Sequence, residues 1–257
     1  MDFALSESRA SGMEVLLLAT GTPPWANEGR GQEWAPTREQ DYADFLTAAS
    51  RRYPPVRHWM VWGEPSRTPN YQPQQPARYA RMLDASYAAL KRQSPRNLVI
   101  GGNTFTGGST RPVKWVRGMR LPDGRPPRMD LYGHNPFTAR EPDLRRAPLG
   151  DYADFSDLGR FQATVTRYLG RPRRKRVRLF LSEFTVPTAR GDSEFGFFVR
   201  PRTQAQWITK GYRVARQVRA YGFGWIHLYD EPGPPIFGGL IDSRGMRKPG
   251  YYAFKRG

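Results

Sequence analysis

Cysteine is absent from the 257-residue chain. That excludes disulfides, thiolate nucleophiles and cysteine-ligated metals, while leaving the compartment open. No apolar run reaches the roughly 18 residues of a membrane-spanning helix. The N-terminus, MDFALSESRASGMEVLLLATG, has no basic segment, and its apolar stretch follows polar residues, so it does not read as a signal peptide. No zinc-finger spacing and no stacking motif of an RNA-binding sheet occurs, so specific nucleic-acid readout has no support. No G-x-G-x-x-G joins a strand to a helix. The stretch GGNTFTGG at 101–108 is rich in glycine but lacks that fingerprint and a Walker lysine. No internal repeat and no linker tract is visible, and neither a cofactor nor a metal is expected.

What is present is enough for a core. The chain is 38% hydrophobic and 13% aromatic, with 7 Trp, 13 Tyr and 14 Phe. Its length suits one large domain spanning 1–257. Net charge is +18, from 41 Lys and Arg against 23 Asp and Glu, a balance that attracts polyanions. The basic residues are mostly arginine and are scattered, apart from the block Arg171–Arg176, which reads as a solvated loop.

Short apolar runs recur at Glu14–Thr20, Val56–Glu64, Asn97–Asn103, Met129–Asn135, Val177–Phe184 and Phe223–Asp230, each the length of a buried strand. Amphipathic segments lie between them. Thr37–Tyr53 opens on Thr37 as an N-cap and carries Tyr42, Phe45, Leu46 and Ala49 at helical spacing. Pro76–Gln93 does the same through Tyr79, Met82, Leu83, Tyr87 and Leu90, and Phe155–Leu169 and Thr203–Tyr221 follow. Alternating strand and helix predicts right-handed crossovers and a parallel sheet with helices outside, either an open doubly wound sheet or a (β/α) barrel. Proline-rich loops follow the runs at 21–36, 65–76, 118–128, 187–201 and 231–239. In a barrel, loops of that kind build the ligand site.

Two runs reach a glutamate: Glu64 in VWGEPS and Glu183 in LFLSEFTVPT. Strand ends converge at one mouth of a barrel, so residues distant in sequence are expected to meet. Two carboxyl groups about 5–5.5 Å apart support retaining glycoside hydrolysis, one as acid and base, the other as nucleophile. Repulsion and burial separate their proton affinities as those roles require. The plainer reading of either residue is an arginine partner or a helix cap.

These segments together resemble the clan of retaining glycoside hydrolases built on a (β/α)8 barrel. VWGEPS is similar to the acid/base motif at the end of strand 4, typically W-N-E-P, and LFLSEF to the nucleophile motif of strand 7. LLLATGTPPWAN resembles strand 3 of family 39-like and family 42-like members, and MDLYGHNPF resembles strand 6. GWIHLYDEP followed by FGGLIDSRGMRKPGYYAF resembles strand 8 with its closing hairpin and helix. The resemblance implies Glu64 as acid/base and Glu183 as nucleophile. His134 and Tyr229 become substrate contacts, and Trp25, Trp62 and Trp225 become sugar-stacking platforms, although each of these also fits a core position.

The sequence departs from the family pattern twice. The asparagine that usually precedes the acid/base glutamate is Gly63 here, which offers no hydrogen bond to the sugar 2-hydroxyl. With EVLLLAT as strand 3, strands 1 and 2 are not represented, and residues 2–11 read as the end of helix 2. The expectation is an α/β TIM barrel, N-terminally incomplete, with about six βα units. Truncation is favoured over a natural six-stranded barrel or completion by a partner chain. With an upstream segment, secretion or a cell-envelope location becomes plausible. The functional expectation is a retaining glycosidase acting on a β-linked glycan. The alternatives are a non-catalytic carbohydrate-binding barrel or inactive truncated glycosidase, and, second, a basic protein that binds polyanions.

Overall fold

A computed structural model describes residues 1–170 and 176–257. The basic run Arg171–Lys175 lies outside the described residues. Six parallel-type strands alternate with helices: α1 (Asp2–Ala10), β1 (Leu16–Ala19), α2 (Glu39–Arg52), β2 (His58–Val61), α3 (Pro76–Gln93), β3 (Leu98–Phe105), α4 (Pro112–Gly118), β4 (Leu131–Asn135), α5 (Leu158–Leu169), β5 (Arg178–Leu181), α6 (Pro201–Gln217) and β6 (Gly222–Phe223). A two-stranded hairpin, β7 (Glu231–Pro232) and β8 (Pro235–Ile236), and helix α7 (Pro249–Lys255) close the chain. The strand order in the sheet is β1-β2-β3-β4-β5-β6, the order in which sequential βα units are laid down.

The chain divides into two compact units. One comprises Met1–Thr104, Gly108–Gly133 and Thr164–Val177; the other comprises Phe105–Gly107, His134–Ala163 and Arg178–Gly257.

In the first unit, β1 pairs with β2 from Leu16↔His58 to Ala19↔Val61, and β2 with β3 from His58↔Leu98 to Met60↔Ile100, all parallel. Every residue of β2 is buried, as expected of a strand covered on both faces. Helix α2 carries Glu39 and Asp41 in its first turn and Arg51 and Arg52 in its last, a distribution that complements the helix dipole. Its N-cap is Arg38 rather than the expected Thr37, whose hydroxyl donates instead to Glu28 at 3.3 Å. Helix α3 matches its expected span. Pro76 sits in its first turn, where no donor is needed, and Tyr79, Met82, Leu83 and Leu90 are buried. Tyr87 stays half-buried, with Lys91 and Arg128 over its ring.

The glycine-rich stretch inside β3 has a packing role. Gly102 adopts φ +85°, and a side chain there would run into the ring of Tyr132. Its backbone N–H donates to the Tyr79 hydroxyl at 2.8 Å, and that hydroxyl donates to the Val61 carbonyl at 2.7 Å. Burial pushes the Tyr79 phenol well above the ordinary tyrosine range, so it remains a neutral strut between the end of β2 and the middle of β3.

In the second unit, β5 and β6 pair in parallel through Phe180↔Gly222 and Leu181↔Phe223. Of the expected strand 223–230 only Phe223 stays in the ladder, next to Gly222. Gly224 brings its backbone against the carbonyl of Ser182, closer than any side chain at that position would allow, and the chain then leaves the sheet. Phe155, Phe184 and Phe223 form an aromatic core, with ring centroids 4.7–5.9 Å apart. Lys248 anchors the C-terminal segment. Its buried ammonium donates to Asp230 at 2.7 Å, Thr188 at 2.8 Å and the Phe237 carbonyl at 3.1 Å.

Candidate active site

Glu64 belongs to the first unit and lies three residues beyond the end of β2, not on the strand itself. The path there is unusual. Trp62 has φ 67° and Glu64 has φ 45°, left-handed values on both sides of Gly63. A bulky residue in that region is a conformational outlier, and such outliers cluster at functional sites. The turn is secured from several directions. The Trp62 indole N–H donates to the Asn70 carbonyl at 2.7 Å, and the Trp62 ring meets Tyr71 edge-on at 5.2 Å. Backbone bonds from Arg67 to Glu64 and from Asn70 to Arg67 coil the following loop.

The result is a carboxylate only 7% exposed. One of its oxygens accepts from the Arg67 guanidinium at 2.6 Å and from the Asn70 amide at 3.2 Å. Neither Arg67 nor Asn70 was expected from sequence. Their spacings of three and six residues from Glu64 match no catalytic signature, and only the loop's coil brings them back. Gly63 sits in open enough space for a larger residue. A side chain there would start at ordinary contact distance from Leu18 (3.4 Å) and Thr20 (3.9 Å).

Glu183 belongs to the second unit, two residues beyond β5, and is half-buried. The Ser182 hydroxyl donates to the Asn135 side-chain oxygen at 2.7 Å. Asn135, at the end of β4, is fixed in turn through its carbonyl, which accepts from the Thr106 N–H and hydroxyl at 3.1 Å each. Phe184 turns inward and meets Trp225 edge-on at 5.4 Å, while the Trp225 indole N–H donates to the Gly238 carbonyl at 2.9 Å. Trp225 is thus a half-buried wall two residues past β6.

The remaining expected contacts separate by burial. Trp25 is exposed on the short helical turn 24–26, beside a cavity of about 400 Å³ lined in part by Thr20, Tyr42 and Phe45. Tyr229 is also exposed, with its backbone bridged to Ile241. Trp62 is fully buried among Tyr42 and Tyr71, so its part is to hold the Glu64 turn rather than to offer a face to a sugar. His134 is likewise fully buried: its Nε2 lies 2.6 Å from the Ala153 carbonyl, and its ring packs 4.5 Å from Phe161. Among the described residues, no group of three or more His, Asp or Glu side chains is placed to hold a metal. No helix among them is long and apolar enough to cross a membrane.

The fold is an α/β chain whose strands lie in sequential order in one sheet, and it is similar to solved structures of glycoside hydrolases, family 39 members among them. A family 39 glycoside hydrolase from Bacteroides cellulosilyticus WH2 superposes with a TM-score of 0.71 at 20% identity, over 96% of this chain and 51% of that one. A glucosidase from Croceicoccus marinus gives 0.68 at 15% identity, over 98% and 50%. A monomeric β-xylosidase from Caulobacter crescentus CB15 gives 0.62 at 19%, over 96% and 53%. At these identities the likeness is one of fold, and the chain spans about half the length of each of these structures. No protein-family model matches the sequence, and no curated protein matches it.

Proposed function

We propose that the chain carries the catalytic glutamates of a retaining glycoside hydrolase acting on β-linked glycosides. The observation that carries this reading is the Glu64 turn. A strained backbone, left-handed at Trp62 and at Glu64 itself, delivers a nearly buried carboxylate between two polar side chains just past a barrel-type strand. Structure of that kind serves no packing need that a hydrophobic residue would not meet better.

In the proposed reaction the Glu183 carboxylate attacks the anomeric carbon as the glycosidic C–O bond breaks, and Glu64 gives its proton to the departing oxygen. Water then attacks the same carbon, Glu64 takes the water's proton, and Glu183 leaves as a carboxylate. Arg67 contacts a Glu64 oxygen in the structure. Proton delivery from that oxygen therefore requires the guanidinium to move aside when a sugar enters. Trp25, Trp225 and Tyr229 are proposed as sugar contacts, while Trp62 and His134 serve as buried packing residues.

The test is turnover of aryl β-xylosides and β-glucosides, the substrate types suggested by the names of the structural relatives. Glu64→Ala and Glu183→Ala are each expected to abolish it. Azide is expected to restore turnover in Glu183→Ala with inversion at the anomeric carbon. Normal turnover in both variants refutes the assignment. A second reading, carbohydrate binding without hydrolysis, is favoured by one specific feature: Gly63 stands where a 2-hydroxyl donor is expected. Because space is available there, Gly63→Asn separates the two readings. Raised turnover supports the enzyme, and tighter glycan binding with no turnover supports the binding protein.

A further inference from the structure

Three guanidinium groups converge on one aromatic ring in the first unit. Arg117, in the last turn of α4, Arg120, just beyond it, and Arg167, near the end of α5, lie 5.7, 5.6 and 5.5 Å from the ring centroid of Tyr168. Each is closer to the common ring than the Debye length of about 8 Å at physiological salt, so their potentials add there. Among the described residues none of the three makes an ion pair with a carboxylate, whereas arginines 125, 128, 140, 145 and 244 each do. Among the described residues, Arg120 alone of the three makes a further bond, to the Met119 carbonyl. Lys114, exposed one turn earlier on α4, adds a second positive charge to that helix. Like charges gathered without a counter-charge repel one another. The ring quadrupole offsets part of that cost, and a bound anion would offset the rest.

The chemistry of the patch narrows the partner. No large hydrophobic side chain between 114 and 120 or between 163 and 170 is exposed, so a membrane surface has nothing apolar to receive here. The half-buried Tyr168 ring is already engaged by three guanidiniums, which a nucleobase stacking on it, as single-stranded nucleic acid requires, would have to displace. Helix α4, at seven residues, is too short to read a duplex groove. What remains matched is a chain of closely spaced oxyanions, each able to accept two parallel N–H bonds from a guanidinium fork.

We propose that Arg117, Arg120 and Arg167, set around Tyr168, form a binding site for an acidic polysaccharide. The proposed site uses neither Glu64 nor Glu183 and does not depend on hydrolysis.

The test measures binding of polygalacturonate and of dextran sulfate, with a single-stranded and a duplex oligonucleotide as competing probes. It compares wild type with Arg117→Gln/Arg120→Gln/Arg167→Gln and with the charge-matched control Arg92→Gln/Arg96→Gln/Arg202→Gln. At 0.15 M salt the cluster variant is expected to bind the glycan roughly tenfold more weakly and to show a log–log salt slope smaller by about two, with the control nearly unchanged. Polygalacturonate as the tighter probe assigns carboxylate as the anion, and dextran sulfate assigns sulfate; either supports the proposal. Arg→Lys at the three positions keeps the charge but removes the forks, and is expected to lose part of the affinity. Equal weakening by cluster and control variants overturns the proposal, as does full affinity in the lysine variant. Tighter, cluster-dependent binding of either oligonucleotide, or no glycan binding at all, overturns it as well.

Discussion

Tyr79→Phe is the sharpest test of how the Glu64 turn is built. The change removes one oxygen atom and leaves the ring. In the wild type that fully buried hydroxyl donates to the Val61 carbonyl and accepts from the Gly102 N–H. Both backbone groups lie away from water, so removing their shared partner strands a donor and an acceptor together. Each stranded group costs about 1–3 kcal/mol, which puts the expected loss near 3 kcal/mol for the pair. For a domain of this size that corresponds to a fall of roughly 6–12 °C in Tm. Tyr42→Phe provides the internal comparison: its hydroxyl donates to the Ala19 carbonyl at 2.6 Å, which also accepts from the Trp62 N–H at 2.9 Å and so keeps a partner, and the expected loss is only about 0.5–1.5 kcal/mol. Urea unfolding followed by tryptophan fluorescence measures both. A Tyr79→Phe protein within about 0.5 kcal/mol of wild type refutes the strut, and with it the claim that β2 and β3 are fixed beneath Glu64 by this residue.

Two further perturbations test the second unit. Lys248→Met strands the buried Asp230 carboxylate and is expected to cost about 3–5 kcal/mol in denaturant unfolding. Adding Asp230→Asn recovers part of that loss, because the charge is gone while the amide oxygen still accepts from Gly239. Asp157 is held above the ordinary carboxylate value of 3.8, first by burial and then by the neighbouring Asp154. Its contribution is therefore fully present below pH 3.8 and is lost as pH rises through the folded value. Carbon-detected NMR titration is expected to place the Asp157 midpoint above 3.8, and Asp157→Asn is expected to flatten that part of the stability profile; a midpoint at or below 3.8 contradicts the burial argument.

Much of the framework was legible because its causes are local. Helix α3 runs from Pro76 to Gln93 as the sequence suggests, since proline sets its start and the buried positions recur at helical spacing. The first five apolar runs each became a strand of the sheet, with ends shifted by at most three residues. Where neighbours decide, the local pattern misled. FGWIHLYD reads as a full strand, but the regular ladder stops at Phe223, with Gly224 packed against Ser182 and its N–H still donating to the Leu181 carbonyl at 2.7 Å. Thr37 has the chemistry of a cap and was drawn instead to Glu28. Trp62 and His134 were read as open to either a ligand or the core, and only burial distinguished them.

The amino-acid order by itself determined the alternation of strand and helix, the parallel sense of the sheet, and the position of two glutamates just past strand ends. These follow from periodicity and from proline and glycine, which act over a few residues. The tertiary structure alone decided that Arg67 and Asn70 coil back onto Glu64 and that Tyr79 braces two strands. It also decided that three arginines meet over Tyr168. Such contacts depend on which surfaces the packed elements bring within about 3–6 Å of one another, and no spacing along the chain encodes that.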